Sequence, residues 1–542
     1  MAQQLRIVLS PASAFGEAGA QLAAIIRARI EERCPARVTD GPAELTFTLA
    51  LDPQIAAEGF RIEDGDIGVR VSGSDRLGLL AGVGKLLRTS RYPASGFQPS
   101  AWRGESAPQC AIRGIYFASH FHNWYQVAPA PELERYVEDL ALWGINTVAA
   151  IFPFINLDGW DDPESEPSLQ QTRRLLQAGK RLGLRTCLLV GNTLFHNTPQ
   201  ALRAAPVDDP RGRRGNSGAP VCPHHPAGNA LLQDCYRRLF AGLADLEIDY
   251  LCVWPYDEGG CGCQQCAPWG ANGLLKVTRE LAALAHTHFP DMRVILSTWM
   301  FDTPPEGEWE GLTRALAAGD HGIDYLMAAS HEDFPRYPLE HGVPGGLPLL
   351  DFPEISMWGL APWGGFGATP LPARHQRLWQ QAKDHLAGGF AYSEGIYEDI
   401  NKALISQFYW DRKTTAAATL REYIAYEYAP EAIAPLSRMI ALIESSHTRA
   451  AQQAEVNPDQ VRTALALARQ VDGQLPAWAR RGWRWRILFL RAVLDHERHQ
   501  GGGLAAPEAR AALRELVALF HAAPVDDGRD PYHQRVRPPL PP

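Results

Sequence analysis

Apolar and polar positions change their period as the chain is read from its N-terminus. Phe15 to Cys34 repeats apolar residues at helical spacing, and Glu44 to Leu51 alternates as a half-buried strand does. Phe60 to Gly73 reads as two short strands across an Asp-Gly turn. Arg76 to Arg88 then carries Leu77, Leu79, Leu80, Val83, Leu86 and Leu87 at helical spacing. Residues 1–107 are therefore predicted to form a small α/β domain.

From residue 108 to 410 one theme recurs: a short apolar run, a polar loop, then an amphipathic helix. The runs are Ala111–Ala118, Thr147–Phe154, Arg185–Val190, Tyr250–Pro255, Val294–Met300, Tyr325–Ala329, Leu347–Phe352 and Gly389–Tyr392. Leu133, Tyr136, Val137 and Leu140 keep helix spacing between two of them, as do Leu274, Val277, Leu281 and Ala285. Eight strand–helix units over about 300 residues match the arithmetic of a (β/α)8 TIM barrel. A doubly wound open sheet is the rival, but the Gly-rich phosphate loop after its first strand is missing. Past residue 411 the strand signals stop. Thr415–Tyr428, Ala432–Gln453, Pro458–Gln474 and Trp483–His499 predict a helical C-terminal domain over 411–542, and the Asp/Arg/Pro-rich tail after Pro524 reads as extended or disordered.

Composition narrows what such a chain can do. Its 542 residues are 46% hydrophobic and 21% charged, which excludes a disordered or fibrous protein. Lys and Arg number 52 against 61 Asp and Glu, a net charge of −9 with no basic block, so nucleic acid is not an expected partner. No apolar run approaches the roughly 20 residues that span a bilayer, and no signal-like segment opens the sequence. A cytoplasmic protein with no membrane partner is the expectation. The 9 cysteines, odd in number, argue against a disulfide framework. Cys34, Cys110, Cys187, Cys235 and Cys252 stand alone and read as small buried hydrophobes. The 15 tryptophans are many, and rings lining a cleft are what sugar faces stack on.

In a barrel, catalytic residues sit at the C-terminal ends of the strands. That rule singles out His120, His122 and Asn123 after the first run, Asn192 and His196 after the third, and Trp254, Asp257 and Glu258 at the fourth. It adds Trp299 and Asp302 after the fifth, His331 after the sixth, Glu354 and Trp358 after the seventh, and Tyr392 and Glu394 at the eighth. Rings interleaved with carboxylates suit a small-molecule or oligosaccharide substrate. Asp257-Glu258 is the sharpest signal. Adjacent carboxyls repel when both are ionised, which raises one pKa toward the range a general acid needs.

Tyr250-Leu-Cys-Val-Trp-Pro-Tyr-Asp257-Glu258-Gly resembles the fourth-strand Gly-Gly-Asp-Glu motif of family-20 β-N-acetylhexosaminidases, with the glycines here following the carboxyls. Phe60–Arg91 resembles the small α/β domain that precedes those barrels. Arg113-Gly114 resembles the Arg-Gly opening their first strand, and Gly388-Gly389-Phe-Ala-Tyr-Ser-Glu394 resembles their last strand. The helical tail is similar to that of allied clan members such as α-glucuronidases. The resemblance implies a retaining, substrate-assisted exo-β-N-acetylhexosaminidase acting on β-GlcNAc or β-GalNAc, with no catalytic cofactor. Glu258 would protonate the leaving oxygen and Asp257 would orient the substrate's acetamido group. Arg113 and Glu394 would bind sugar, and Trp299 and Trp358 would wall the acetamido pocket. The chain departs from the family in its loops. His120-Phe-His122-Asn123 stands where the family has Asp and Arg, Phe152-Pro-Phe-Ile-Asn156 replaces an acidic pair, and Asn192 and His196 lie where Pro-Gly-His is expected. His120, His122 or Asn123 are expected to take over hydroxyl binding. Two other readings stay open. One is an inverting glycosidase of the α-glucuronidase type, with Glu258 as acid and Asp302, Asp333 or Glu354 as base. The other is a non-catalytic carbohydrate-binding protein.

Cys261-Gly-Cys263-Gln-Gln-Cys266 follows the acid pair directly. Three thiols at this spacing can face one ion, but tetrahedral zinc needs a fourth ligand, which Cys222, His224 or His225 could supply from the preceding loop. A structural zinc on Cys222, Cys261, Cys263 and Cys266 is one expectation; free thiols or a disulfide are the other.

Overall fold

The computed structural model describes residues 3–11, 13, 15–120, 123–210, 219–257, 259–317, 319, 321–331, 333–356, 369–446, 456–499 and 505–519. The chain begins with strand β1 (Gln3–Ser10), helix α1 (Gly16–Glu31), β2 (Ala36–Val38) and β3 (Leu45–Leu51). The pair β4 (Phe60–Gly65) and β5 (Gly68–Gly73), helix α2 (Arg76–Thr89) and β6 (Gly104–Ser106) follow. These strands form one sheet of order β2-β1-β3-β5-β4-β6, antiparallel only where β4 pairs with β5 and β6. Asp75 starts α2 by accepting a 2.8 Å hydrogen bond from the Gly78 amide, as an N-cap does. The apolar face of α2 then packs on β4 and β5.

The next part alternates strand and helix. It runs β7 (Ile112–Phe117), α3 (Trp124–Val127), α4 (Ala130–Leu142), β8 (Thr147–Ile151), α5 (Ser165–Leu182) and β9 (Arg185–Val190). A small antiparallel pair, β10 (Thr193–Leu194) and β11 (Ala219–Pro220), precedes α6 (Pro226–Gly242), β12 (Tyr250–Val253), α7 (Leu275–His286) and β13 (Arg293–Ser297). Then come α8 (Glu308–Leu316), β14 (Tyr325–Ala328), α9 (Arg336–Glu340), β15 (Leu349–Asp351), α10 (Pro372–Ala382), β16 (Leu386–Ser393) and α11 (Asp399–Trp410). Strands β7-β8-β9-β12-β13-β14-β15-β16 close into a parallel barrel, with β16 pairing back onto β7 from Gly388↔Ile112 to Ser393↔Phe117. The fold is the predicted TIM barrel, and each predicted apolar run holds one barrel strand. The last run is longer than predicted. Gly388 lets β16 lie directly on β7: its φ is +133°, and a Cβ there would meet the Ile112 carbonyl oxygen at 1.8 Å.

The described C-terminal part is helical: Ala416–Glu427, Ile433–Ser445, Pro458–Asp472, Ala477–Arg481, Trp483–His499 and Pro507–Leu519. The predicted end of the second helix, beyond 446, and the tail after Pro524 lie outside the described residues. Buried charge joins the three parts. Arg29 of α1 donates to Asp139 (3.0 Å) and Glu138 (2.9 Å) of α4, and Arg484 of the C-terminal helices donates to Asp139 (3.0 Å) and Asp399 (2.7 Å). Among the described residues no helix is long and apolar enough to cross a membrane.

Candidate active site

The C-terminal mouth of the barrel has an aromatic floor. Inward positions alternate along a strand, and at the last inward level stand Tyr116 of β7, Trp254 just past β12, Phe352 just past β15 and Tyr392 of β16, all buried. Ring centroids lie 5.6 Å from Tyr116 to Tyr392, 5.7 Å to Phe352 and 6.0 Å to Trp254. The floor extends upward through His120, whose ring lies 5.3 Å from Tyr256 and shares a 2.8 Å hydrogen bond, through Nδ1, with the Tyr116 hydroxyl. Burial pushes the His120 pKa down to about 3, so the imidazole is neutral near pH 7. The buried indole N–H of Trp254 and the Oδ1 of Asn192 find no hydrogen-bond partner among the described residues.

Asp257 stands at the rim of this floor. Its Oδ1 accepts a 3.0 Å hydrogen bond from the Trp299 indole, which reaches across from the loop after β13. The Trp299 ring lies 6.5 Å from Trp254 and 5.8 Å from His331. Two backbones near the carboxyl are strained. Tyr256 (φ +52°) and Met300 (φ +72°) occupy the left-handed region, which costs a residue with a side chain roughly 1–2 kcal/mol. Such outliers concentrate at functional sites. Glu258, the predicted acid, lies outside the described residues, as do His122 and Trp358.

A second carboxylate group closes the opposite side. Glu394 is buried at the end of β16, and its Oε1 accepts a 3.0 Å hydrogen bond from the Tyr392 hydroxyl. Burial, then the charges of Glu354 and Glu398, push its pKa up to about 8 against the weaker pull of Tyr392. Near pH 7 Glu394 therefore carries a proton and can donate as well as accept. Glu354 is also buried, and its Oε1 accepts from the Ser356 amide at 2.8 Å. Below them Asp351, bonded by the Ser330 hydroxyl at 2.7 Å, is pushed up to about 7 by burial. Glu398 opens α11 and shapes the Glu394 turn. Its Oε1 accepts from the amides of Glu394 (2.7 Å) and Gly395 (3.0 Å) and from the Ser393 hydroxyl (2.7 Å).

The structure thus gathers His120, Trp254, Asp257, Trp299, His331, Glu354, Tyr392 and Glu394 at one end of the barrel. It corrects two assignments. Arg113 does not face sugar. It sits at the start of β7, on the opposite, N-terminal face, where its guanidinium donates to the carbonyls of Gly144 (2.7 Å) and Cys110 (3.0 Å) and to Glu58 (2.6 Å). Residue position along the strand decides this: Arg185, Tyr250, Arg293 and Tyr325, which line the same basal cavity, all open their own strands. Asn123 is likewise occupied. Its side chain accepts from the Tyr125 amide (3.1 Å) and donates to the Ala118 carbonyl (2.8 Å), capping α3. His196 is exposed and paired with the Ile155 carbonyl at 3.0 Å, and Asp302, just past Trp299, accepts from the Trp309 indole at 3.1 Å and has its pKa raised by burial. Asp333, a candidate base, lies on the surface beside Arg377. Tyr116, Asp351 and Glu398 are candidate-site residues that the strand-end rule missed.

The cysteines sort as their spacing suggests. Cys34, Cys110, Cys187, Cys235 and Cys252 are buried free thiols scattered through the core. Cys222, Cys261, Cys263 and Cys266 converge, their sulfurs all within 4.8 Å of one another. The rival fourth ligands are engaged elsewhere: His224 Nε2 contacts the Asn272 carbonyl (3.2 Å) and His225 Nδ1 accepts from the Gly228 amide (3.2 Å), capping α6.

No protein-family model matches the chain, and no curated protein sequence matches it. Solved structures do. A family GH115 4-O-methyl-α-glucuronidase with specificity for decorated arabinogalactans is similar over 99% of this chain and 80% of its own, at 13% identity and a TM-score of 0.60. The GH20 β-N-acetylhexosaminidase of Streptomyces coelicolor is similar over 78% of this chain and 92% of its own, at 12% identity and a TM-score of 0.52. A family 89 glycoside hydrolase of Clostridium perfringens, solved with GlcNAc-α-1,4-galactose, is similar over 94% of this chain and 66% of its own, at 11% identity and a TM-score of 0.60. At these identities the likeness is one of fold, and the chain is a distant structural relative of these TIM-barrel enzymes.

Proposed function

We propose that the chain is a glycoside hydrolase that removes a terminal N-acetylated hexosamine by substrate-assisted retention. The observation that carries this reading is the 3.0 Å hydrogen bond holding Asp257 against Trp299 above the aromatic floor. A carboxylate fixed in that way beside indole rings is suited to grip an acetamido N–H and steady its carbonyl oxygen under the anomeric carbon. Glu258, next in the chain, protonates the leaving oxygen and then deprotonates water. The substrate's own acetamido oxygen is the nucleophile, an exception to the two-carboxylate scheme. Neutral Glu394 and the Trp254 N–H supply hydrogen bonds to sugar hydroxyls, and the floor excludes water.

Among the described residues the mouth offers Asp257, Glu354 and Glu394, with His120 neutral, and Arg374 lies beside them, donating to the carbonyls of Glu354 (2.9 Å) and His331. Two of the enzyme families with the same fold include proteins named or solved for N-acetylhexosamine sugars, which supports the same class. The inverting reading needs a second carboxylate as base. Asp333 lies on the surface beside Arg377, and the burial of Glu354 beside Glu394 is what favours considering Glu354.

The test is a panel of p-nitrophenyl glycosides: β-GlcNAc, β-GalNAc, α-GlcNAc, α-glucuronide and α-sialoside. Turnover of a 2-acetamido sugar is expected, with Glu258→Gln about 10²–10⁴-fold slower. Turnover of the glucuronide alone would replace the proposal by the inverting reading.

A further inference from the structure

The convergent thiols call for an occupant, and the geometry points to a zinc ion held by Cys222, Cys261, Cys263 and Cys266 that clamps the loop after β9 to the loop bearing Asp257. Four thiolates bonded to zinc at about 2.3 Å occupy a tetrahedron whose edges are about 3.8 Å. Here Cys222 Sγ lies 3.9 Å from Cys263 Sγ and 4.0 Å from Cys266 Sγ, and all four sulfurs fall within 4.8 Å of one another. Four soft thiolates in this arrangement select zinc over hard cations.

The surroundings fit a bound dication. Four thiolates around one zinc leave two excess negative charges, which backbone amides aimed at sulfur offset. The Ala205 amide donates to Cys261 Sγ at 3.2 Å. Two close turns shape the loop. The amides of Cys266 (2.9 Å) and Ala267 (3.0 Å) both bond the Cys263 carbonyl, and Gly262 passes so near Pro206 that a Cβ would meet its carbonyl oxygen at 2.1 Å.

The ligands come from two loops. Cys222 follows β11, whereas the other cysteines lie four to nine residues beyond Asp257. The segment 203–207 is laced between them: Ala204 donates to Pro220 (2.8 Å), and Gly262 donates to Ala205 (2.9 Å). One ion would therefore fix the path of the chain leaving the Asp257 turn. It is a positioning device, since a site closed by four thiolates leaves no open coordination position for substrate.

The full chain purified without chelator is expected to carry about one zinc by elemental analysis, released by p-hydroxymercuribenzoate. Protein grown on cobalt is expected to show the thiolate charge-transfer and d–d bands of a tetrahedral cobalt(II) site, a readout that needs no variant. Cys222→Ser should lose the metal and expose both 203–207 and 259–267 to faster hydrogen exchange, while Cys222→His, which restores a ligand, should recover both. Protein without zinc and without cobalt bands would overturn the site, as would two disulfides among these four cysteines in the intact mass. Cys222→His exchanging as fast as Cys222→Ser would overturn the clamp. None of these readouts uses turnover, so they stand or fall apart from the glycosidase proposal.

Discussion

Single residues of the candidate site are held in protonation states that water would not give them. Glu394 is the clearest case. Its ordinary carboxyl pKa of 4.5 rises to about 8 in the fold, chiefly through burial. The folded state therefore binds more protons than the unfolded one between those values. Its stabilising contribution is complete below the unfolded pKa and is lost as pH rises toward 8. Glu394→Gln removes that dependence. Chemical denaturation of both proteins from pH 5 to pH 8 should show the variant gaining on the wild type as pH rises; parallel curves would mean that Glu394 is ionised throughout. Asn123 teaches the opposite lesson. Its side chain is spent on the turn into α3, with Gln126 reaching back to its amide at 3.2 Å. This Asn-x-x-Gln pattern is a capping box, so the assignment to sugar could have been avoided from the sequence.

At the scale of the element, strand ends place the chemistry and helices hold the ends still. Glu398 of α11 binds the turn that carries Glu394, and Lys402, one helical turn later, donates to the Tyr136 hydroxyl of α4 at 2.6 Å. Beside them lies the charge network of Asp139, Asp399 and Glu427 around Arg484. Burial opposes ionisation of Asp139, but Arg29 and Arg484 outweigh it and hold its carboxyl well below the usual carboxylate range. A carboxylate so depressed stabilises the fold above its ordinary pKa of about 3.9 and loses that contribution as pH falls. Arg484→Met leaves buried carboxylates without one cation and is expected to cost about 3–5 kcal/mol at pH 7 in urea unfolding. The loss should shrink below about pH 4 as the acids protonate. A change under about 1 kcal/mol at pH 7 would show the network to be as weak as a surface pair.

At the scale of the whole molecule, the barrel was legible because its strands are buried on both faces and read as unbroken apolar runs between amphipathic helices. Strand ends were legible by the same token, and they led to Asp257, Trp299, Glu354 and Glu394. What was missed lies where type and spacing say little. Arg113 is the second residue of its strand and lines the basal cavity, a matter of which end of β7 it occupies. Tyr116 lies inside an apolar run and reaches the site only because it points inward at the top level of the barrel. Glu398 acts through backbone amides that no pattern of side chains reveals. The proposed mechanism pairs Asp257 and Glu258 with the substrate's acetamido group. Proton NMR of the first-formed anomer from a 2-acetamido glycoside tests it most directly. The anomeric configuration of the substrate is expected to be retained, with Asp257→Asn strongly slowed. An inverted product, or equal turnover of glycosides lacking the 2-acetamido group, would contradict it.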